Sequence, residues 1–296
     1  MAHQVLLFYK YVTIENPDAL KEWVTARAKA LGFTGRVIIA EEGINGTLEG
    51  TLQNTNIFKD ELLLDSRFSD VQVKTSASNG DSFPKLSVKV RDEIVGTHFD
   101  KNKIDPRKKT ARHLRPEELR VWYENKKDFV VVDMRNNYEF LSGHFKDSIN
   151  PALENSRDLP AMISRLAQLK NKTVLTVCTG GVRCEKMSAY LLTEGFTDVY
   201  QLHNGIHGYM EKYPGQDYLG TLYTFDQRLT MDFGCDHEII GRCLLCGGQT
   251  ESYVNCADNT CHLHFLACKT CQKESGTFCS EVCSARSSNV KPFRMA

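Results

Sequence analysis

A chain of 296 residues is longer than one typical domain and predicts two or three. Its 41% apolar and 25% charged residues are the balance of a globular protein and exclude a disordered or fibrous one. The 37 basic and 37 acidic side chains cancel, so a nucleic-acid partner has to be met by a local basic patch rather than an overall field. No apolar run approaches the ~18 residues of a membrane-spanning helix. The opening segment, MAHQVLLFYKYV, lacks a basic leader and a small-residue cleavage site, and it reads as a first strand.

Residues 1–100 have the pattern of a small α/β unit. Val5 to Val12 is an apolar strand. A helix begins near Asn16-Pro17-Asp18, where Asn or Asp can cap and Pro suits the first turn, and Gly32 ends it. Arg36 to Ala40 is strand-like, and the three glycines of EEGINGTLEG mark tight turns. Ile57 to Leu64 is helical, and Phe83 to Val95 is a final strand region. In that last strand Lys85, Ser87, Lys89 and Arg91 share one face, while Leu86, Val88 and Val90 face a core. The order β-α-β-β-α-β predicts a split βαβ, ferredoxin-like (acylphosphatase-like) fold.

Residues 101–115, KNKIDPRKKTARHLR, hold seven Lys or Arg and one Asp. They read as a basic linker, a solvated connection before an RNA contact. Residues 116–215 then alternate as a parallel α/β domain should. Pro116-Glu117-Glu118 opens a helix with acids in its first turn. Phe129 to Asp133 is a continuous apolar run, as a strand buried on both faces requires. A helix over Leu159 to Leu169, a second buried strand over Thr173 to Val177, a helix from Cys184 to Glu194 and a short strand from Val199 to Leu202 complete the unit.

The segment Cys178-Thr-Gly-Gly-Val-Arg183-Cys184 follows a buried strand and opens a helix. Ligands of open α/β sheets bind at that end of the strands. Gly180 and Gly181 let several N–H groups point inward as an anion-binding concavity. The positive helix end and Arg183 add to it, and all three favour a thiolate, or the terminal sulfur of a persulfide, at Cys178. Cys184 shares a helix face with Met187 and Leu191, which makes it a core thiol before a resolving one.

The loop CTGGVRCEK resembles the active-site loop of the rhodanese superfamily. Asp133-Met-Arg135-Asn-Asn-Tyr-Glu139-Phe-Leu-Ser-Gly143-His144 and the later VYQLHNGIHGY resemble flanking segments of the same superfamily. The resemblance implies Cys178 as a persulfide-forming nucleophile and Arg183 as part of the anion cradle, with Asp133, Arg135 and Glu139 as scaffold. His203-Asn204-Gly205 stands where such domains commonly show a glycine pair. Four residues separate Cys178 from Arg183, one fewer than in the related phosphatases, which fits a cradle for sulfur better than one for phosphate.

Nine of the 11 cysteines lie between Cys235 and Cys283. This odd, clustered set without a secretory leader points to the reducing cytoplasm rather than to a disulfide framework. Four close pairs, Cys243/Cys246, Cys256/Cys261, Cys268/Cys271 and Cys279/Cys283, predict a zinc-type module over 234–285 with two structural Zn²⁺. Sequential and crossed pairings both fit. His262 or His264 can replace a thiol, and Cys235 is left over.

GRVIIAEEGINGTLEG, then CTGGVRCEK, then CxxCGG…NCADNTCHLHFLACKTC, in that order, resemble the bacterial tRNA uridine hydroxylase family over nearly the whole chain. That resemblance implies an oxidoreductase using O₂ as co-substrate to hydroxylate C5 of uridine 34 in the tRNA anticodon loop. The residues themselves show no dinucleotide fingerprint, iron ligand set or flavin signature, so they name no electron donor. They equally allow a sulfurtransferase loaded by a small sulfur donor. Lys85, Lys89 and Arg91 are the candidate tRNA contacts.

Overall fold

The computed structural model describes residues 2–288. Strand β1 (His3–Tyr11) leads to helix α1 (Pro17–Ala30), which the Asn16 side chain caps by accepting from the Ala19 N–H. Strands β2 (Thr34–Ala40) and β3 (Gly43–Thr51), helix α2 (Leu52–Leu64) and strands β4 (Lys74–Ser78) and β5 (Leu86–Val90) follow. The sheet order is β4-β1-β3-β2-β5. Its first four strands are the ferredoxin-like arrangement, and β5 is added parallel to β2. Leu6, Phe8, Val37, Ile39, Ile44 and Leu48 turn toward α1 and α2 and form the core with Val24, Ala28, Phe58 and Leu62. Strand alternation therefore sends Leu7, Tyr9, Arg36, Ile38, Asn45 and Thr47 to the opposite face.

Two sequence expectations change here. EEGINGTLEG is not a string of turns: from Gly43 onward it is the central strand β3. Its glycines make room for rings, since a Cβ on Gly46 would lie 2.5 Å from Phe8 and one on Gly50 2.4 Å from Phe33. The strand of Phe83 to Val95 is not the fourth strand of the fold. That place belongs to β4, whose sequence KTSAS carries no apolar alternation, and the later strand is the extra edge.

Residues 101–115 are more than a basic linker. Ile104 and Ala111 are buried, and β6 (Arg112–Leu114) is an edge strand of the middle sheet. Helix α3 (Pro116–Glu124), strand β7 (Val130–Asp133), helix α4 (Asn137–Ser142), strand β8 (Gly143–Phe145), helix α5 (Leu159–Met162), strand β9 (Thr173–Val177), helix α6 (Val182–Thr193), strand β10 (Asp198–Leu202) and helix α7 (Gly205–Lys212) complete the middle domain. The helix expected over Leu159 to Leu169 is α5 continued by a 3₁₀ segment, Ile163–Leu169. The sheet is parallel, in the order β6-β10-β9-β7, with an apolar core on each face. The tail begins with Tyr218–Gly220 paired to β8 and ends in a small thiol-rich module around the hairpin Tyr253–Asn255 and His264–Leu266. Among the described residues no helix is long and apolar enough to cross a membrane.

Candidate active site between two domains

Cys178 leaves the end of β9 and is fully buried. Its Sγ accepts from the Gly181 N–H at 3.2 Å. Gly181 has φ +101°, and the curl it permits starts α6 directly beneath the sulfur. Burial pushes the Cys178 thiol up. The Cys184 thiol, the Arg183 charge and the N–H groups of Cys184 and Gly181 outweigh burial, so Cys178 ionises below the ordinary thiol range. Cys184 is pushed the other way, by burial and by its bond to Cys178. It lies in the core as expected, beside the candidate nucleophile. The loop is seated on α7: a Cβ on Gly205 would lie 2.5 Å from the Cys178 carbonyl oxygen and 2.6 Å from the Gly181 nitrogen. Asn204 adopts φ +63°, a conformation Asn tolerates where a glycine is usual.

Arg183, expected in the anion cradle, is gripped by Glu139. Its Nη1 donates to Oε1 at 2.5 Å and its Nη2 to Oε2 at 2.7 Å, and Nη2 also donates to Thr179 Oγ1 at 3.1 Å. Arg183 therefore acts on Cys178 by charge while Glu139 fixes its place. Asp133 and Arg135 form a separate buried pair that reaches the Gly143 carbonyl at 2.6 Å and ties β7 to β8.

The N-terminal sheet covers this loop, which the sequence did not reveal. A Cβ on Gly180 would lie 3.0 Å from Leu7 Cδ2, and one on Gly181 2.8 Å from the Tyr9 hydroxyl. Tyr9 donates to Glu185 Oε1 at 3.1 Å and Tyr11 to the Val182 carbonyl at 3.2 Å. Glu185 also meets His113 at 2.9 Å and Gln201 at 3.0 Å. Buried Lys186 bridges back to Glu42 at 2.7 Å and Glu93 at 2.8 Å. Alternation of β1 was the available signal: an apolar run from Val5 to Phe8 buries both faces, so the face away from the helices needs a partner.

Beside this contact a cavity of about 470 Å³ opens between the sheet face and the loop. Arg36, Ile38, Asn45 and Thr47 line it from the sheet, Thr179, Gly180 and Arg183 from the loop, and Asn136 and Arg157 from the middle domain. Phe225 closes one side, its carbonyl accepting from Arg36 at 3.2 Å. The size suits a nucleoside-sized ligand. In the register of β2 and β5, Arg36 lies beside Ser87 and Ile38 beside Lys89. Ser87 and Lys89 thus share the cavity's face of the sheet, and Lys85, Lys89 and Arg91 are all exposed.

The eight paired cysteines form two groups. Cys243, Cys246, Cys268 and Cys271 make one, and Cys256, Cys261, Cys279 and Cys283 the other, with the sulfurs of each set within 4.8 Å of one another. The pairing is crossed. Sulfur separations include 3.7 Å for Cys246–Cys268 and 3.5 Å for Cys261–Cys279. Four thiolates around Zn²⁺ at about 2.3 Å stand roughly 3.8 Å apart, so both donor sets fit a tetrahedral ion. His262 and His264 belong to neither set; His264 instead stacks on Tyr253 at 5.0 Å. Cys235 is apart, its thiol donating to the Asp232 carbonyl.

Fold, loop and thiol clusters define a rhodanese-type cysteine protein flanked by an acylphosphatase-like domain and a thiol-rich tail. Family models agree in three pieces: a UPF0176 acylphosphatase like domain over residues 3–94, a rhodanese-like domain over 115–212 and a rhodanase C-terminal region over 219–284. Proteins named tRNA uridine(34) hydroxylase are similar end to end. The one from Cytophaga hutchinsonii is 42% identical over 95% of this chain and 89% of its own length. One from Listeria monocytogenes is 38% identical over 97% and 91%, and one from Staphylococcus aureus 39% over 98% and 92%. The chain belongs to the tRNA uridine(34) hydroxylase family.

Proposed function

We propose that this protein is an oxidoreductase that hydroxylates uridine 34 of tRNA in the cytoplasm, with Cys178 as the nucleophile and O₂ as co-substrate. The observation that carries the reading is likeness over at least nine-tenths of the chain to proteins of that name. The geometry supplies the rest of the case. A duplex stem cannot deliver a base into a recess, whereas an anticodon loop can splay one out. The cavity receives that base, with amides and guanidinium groups at its wall to meet uracil oxygens. The exposed cations Lys85, Lys89 and Arg91, in and beside β5, hold the phosphates next to it.

A second reading is sulfur transfer from a Cys178 persulfide to a small thiophilic acceptor. The tight loop, with N–H groups aimed at sulfur, favours it. One paired measurement separates the two: 5-hydroxyuridine in a tRNA digest and sulfur loading of Cys178 from thiosulfate, both with the purified protein. Hydroxylated tRNA supports the first reading. Sulfur transfer to a small acceptor with no tRNA product supports the second.

Replacing Lys85, Lys89 and Arg91 together by Ala tests the binding face. Each cation withdrawn from a phosphate lowers the salt slope of tRNA binding by roughly one. We expect weaker binding, a slope shallower by about two to three, and unchanged sulfur loading of Cys178. Wild-type binding and slope would remove this face from the interface.

Both thiol clusters hold Zn²⁺ in this proposal. Four-thiolate sites leave no open position, so the metal supplies folding energy to a module too small to build a core. Metal analysis is expected to give about two zinc ions per chain. Chelation should speed hydrogen exchange in the tail far more than around β9. Zinc near zero, with disulfides in its place, would dismiss the metal.

A further inference from the structure

Lys74 is a buried amine without a hydrogen-bond partner among the described residues. It begins β4, where its register partner is Leu7 of β1. Partners across neighbouring strands share a face. Lys74 therefore leaves the sheet on the side where Leu7 meets Gly180 and Tyr9 meets Gly181. Its Nζ lies 5.3 Å from the Tyr9 ring centroid, on the flank away from the substrate cavity, whose lining excludes it. A buried ammonium without a partner is costly, and such a group is kept where it meets a charge. Two negative charges bear on it, the Cys178 thiolate and Glu211 of α7, and the buried thiolate is less screened than the half-exposed carboxylate.

We propose that Lys74 is a positioning residue through which the N-terminal domain holds Cys178 of the middle domain as a thiolate. The groups around the pair fit this. On the Cys178 side stand Arg183, whose charge is shared with Glu139, and the neutral Cys184 thiol. Tyr9 and Tyr11 of β1 are neutral, pushed well up by burial. Glu185 engages His113, Gln201 and Tyr9. On the Lys74 side stand Glu211 of α7, which also approaches His207 Nδ1 at 3.6 Å, and His203, whose protonation burial and nearby His113 and Lys74 disfavour. Burial pulls the Lys74 amine down to about 8, and Cys178 and Glu211 pull it back up. Around neutral pH it is still largely an ammonium. The middle domain alone lacks this cation, so its reactive thiol is complete only when the N-terminal sheet is docked.

The inference rests on Cys178 being the reacting thiol, and its test does not use the tRNA reaction. The intact protein is alkylated with iodoacetamide across a pH series, and the Cys178 peptide is quantified by mass spectrometry. In Lys74→Met the Cys178 curve should move to higher pH, lowering the rate at neutral pH and below roughly three- to tenfold. Lys74→Arg should return the curve toward wild type. Melting of Lys74→Met should fall little, because the Cys178 thiol can take up a proton when its counter-charge goes and an apolar chain of similar length fills the space. If that variant does melt early, Lys74→Gln carries the same comparison. A folded Lys74→Met protein with the wild-type curve would overturn the inference, as would equal displacement by Met and Arg. Neither outcome touches the assignment of Cys178, which stands or falls on Cys178→Ser in the tRNA assay.

Discussion

Cys178→Ser is expected to bring 5-hydroxyuridine formation to background, a loss of roughly 10⁴-fold or more, as removal of a nucleophile does in other cysteine and serine enzymes. The reason is ionisation. Three groups around the buried sulfur stabilise an anion and outweigh its burial: the Gly181 N–H at 3.2 Å, the Cys184 thiol, and the Arg183 charge. A serine hydroxyl fills the same space and accepts the same N–H, but it does not ionise in the working pH range. The fold should therefore be unmoved, and the melting temperature should stay within a degree or two of wild type. Cys184→Ser makes the contrast. It leaves the Gly181 N–H and the Arg183 charge beside Cys178 in place, and it should retain hydroxylation within about tenfold. Both are read by mass spectrometry of tRNA digested after incubation with purified protein. A fully active Cys178→Ser protein would take Cys178 out of the mechanism.

What was legible in the sequence followed from local rules. Apolar runs such as Val130–Val132 and Thr173–Val177 are buried parallel strands, and a cysteine followed by two glycines at the end of one is an anion-binding loop. The β5 alternation likewise gave its two faces correctly. What stayed hidden needed long-range contact. Lys74–Ser78 has no apolar alternation with which to announce a strand, because β4 is an edge whose pairing is made by backbone groups. Arg112–Leu114 sits in a basic stretch for the same reason. Gly46 and Gly50 looked like turns because their true partners, the rings of Phe8 and Phe33, are far along the chain. CxxC spacing places two sulfurs on one ion but says nothing of which knuckles meet, so the crossed pairing emerged only in the fold. The largest omission was the cavity beside the Cys178 loop. Its walls come from two domains, and no motif in either one describes their contact.

Glu139→Ala should destabilise the middle domain by about 3–5 kcal/mol, the usual consequence of leaving one member of a buried ion pair unpaired. Glu139 is fully buried and its carboxylate is saturated: both oxygens meet Arg183, Oε2 also accepts from Thr179 at 3.1 Å, and Oε1 from the Asn136 N–H at 3.0 Å. Removing it strands a guanidinium beside the Cys178 loop. The urea midpoint, read by Trp122 in a Trp23→Phe background, should fall by roughly 1–3 M. Replacing both partners with apolar residues, Glu139→Leu with Arg183→Met, should restore most of that stability because no buried charge remains. It should not restore hydroxylation, since the Cys178 thiolate then has no Arg183 charge beside it. Burial raises the Glu139 carboxyl, but Arg183 outweighs it and holds the folded value below the ordinary carboxylate range. A lowered carboxyl contributes stability that is fully present above its unfolded pKa of about 4.3 and is lost as pH falls through the folded value. Wild type should therefore shed this contribution only in acid, and the difference between wild type and Glu139→Ala should be flat above about pH 5. Near-wild-type stability in Glu139→Ala, or a double variant no more stable than the single, would mean that Arg183 finds water or another partner and that Glu139 does not fix its place.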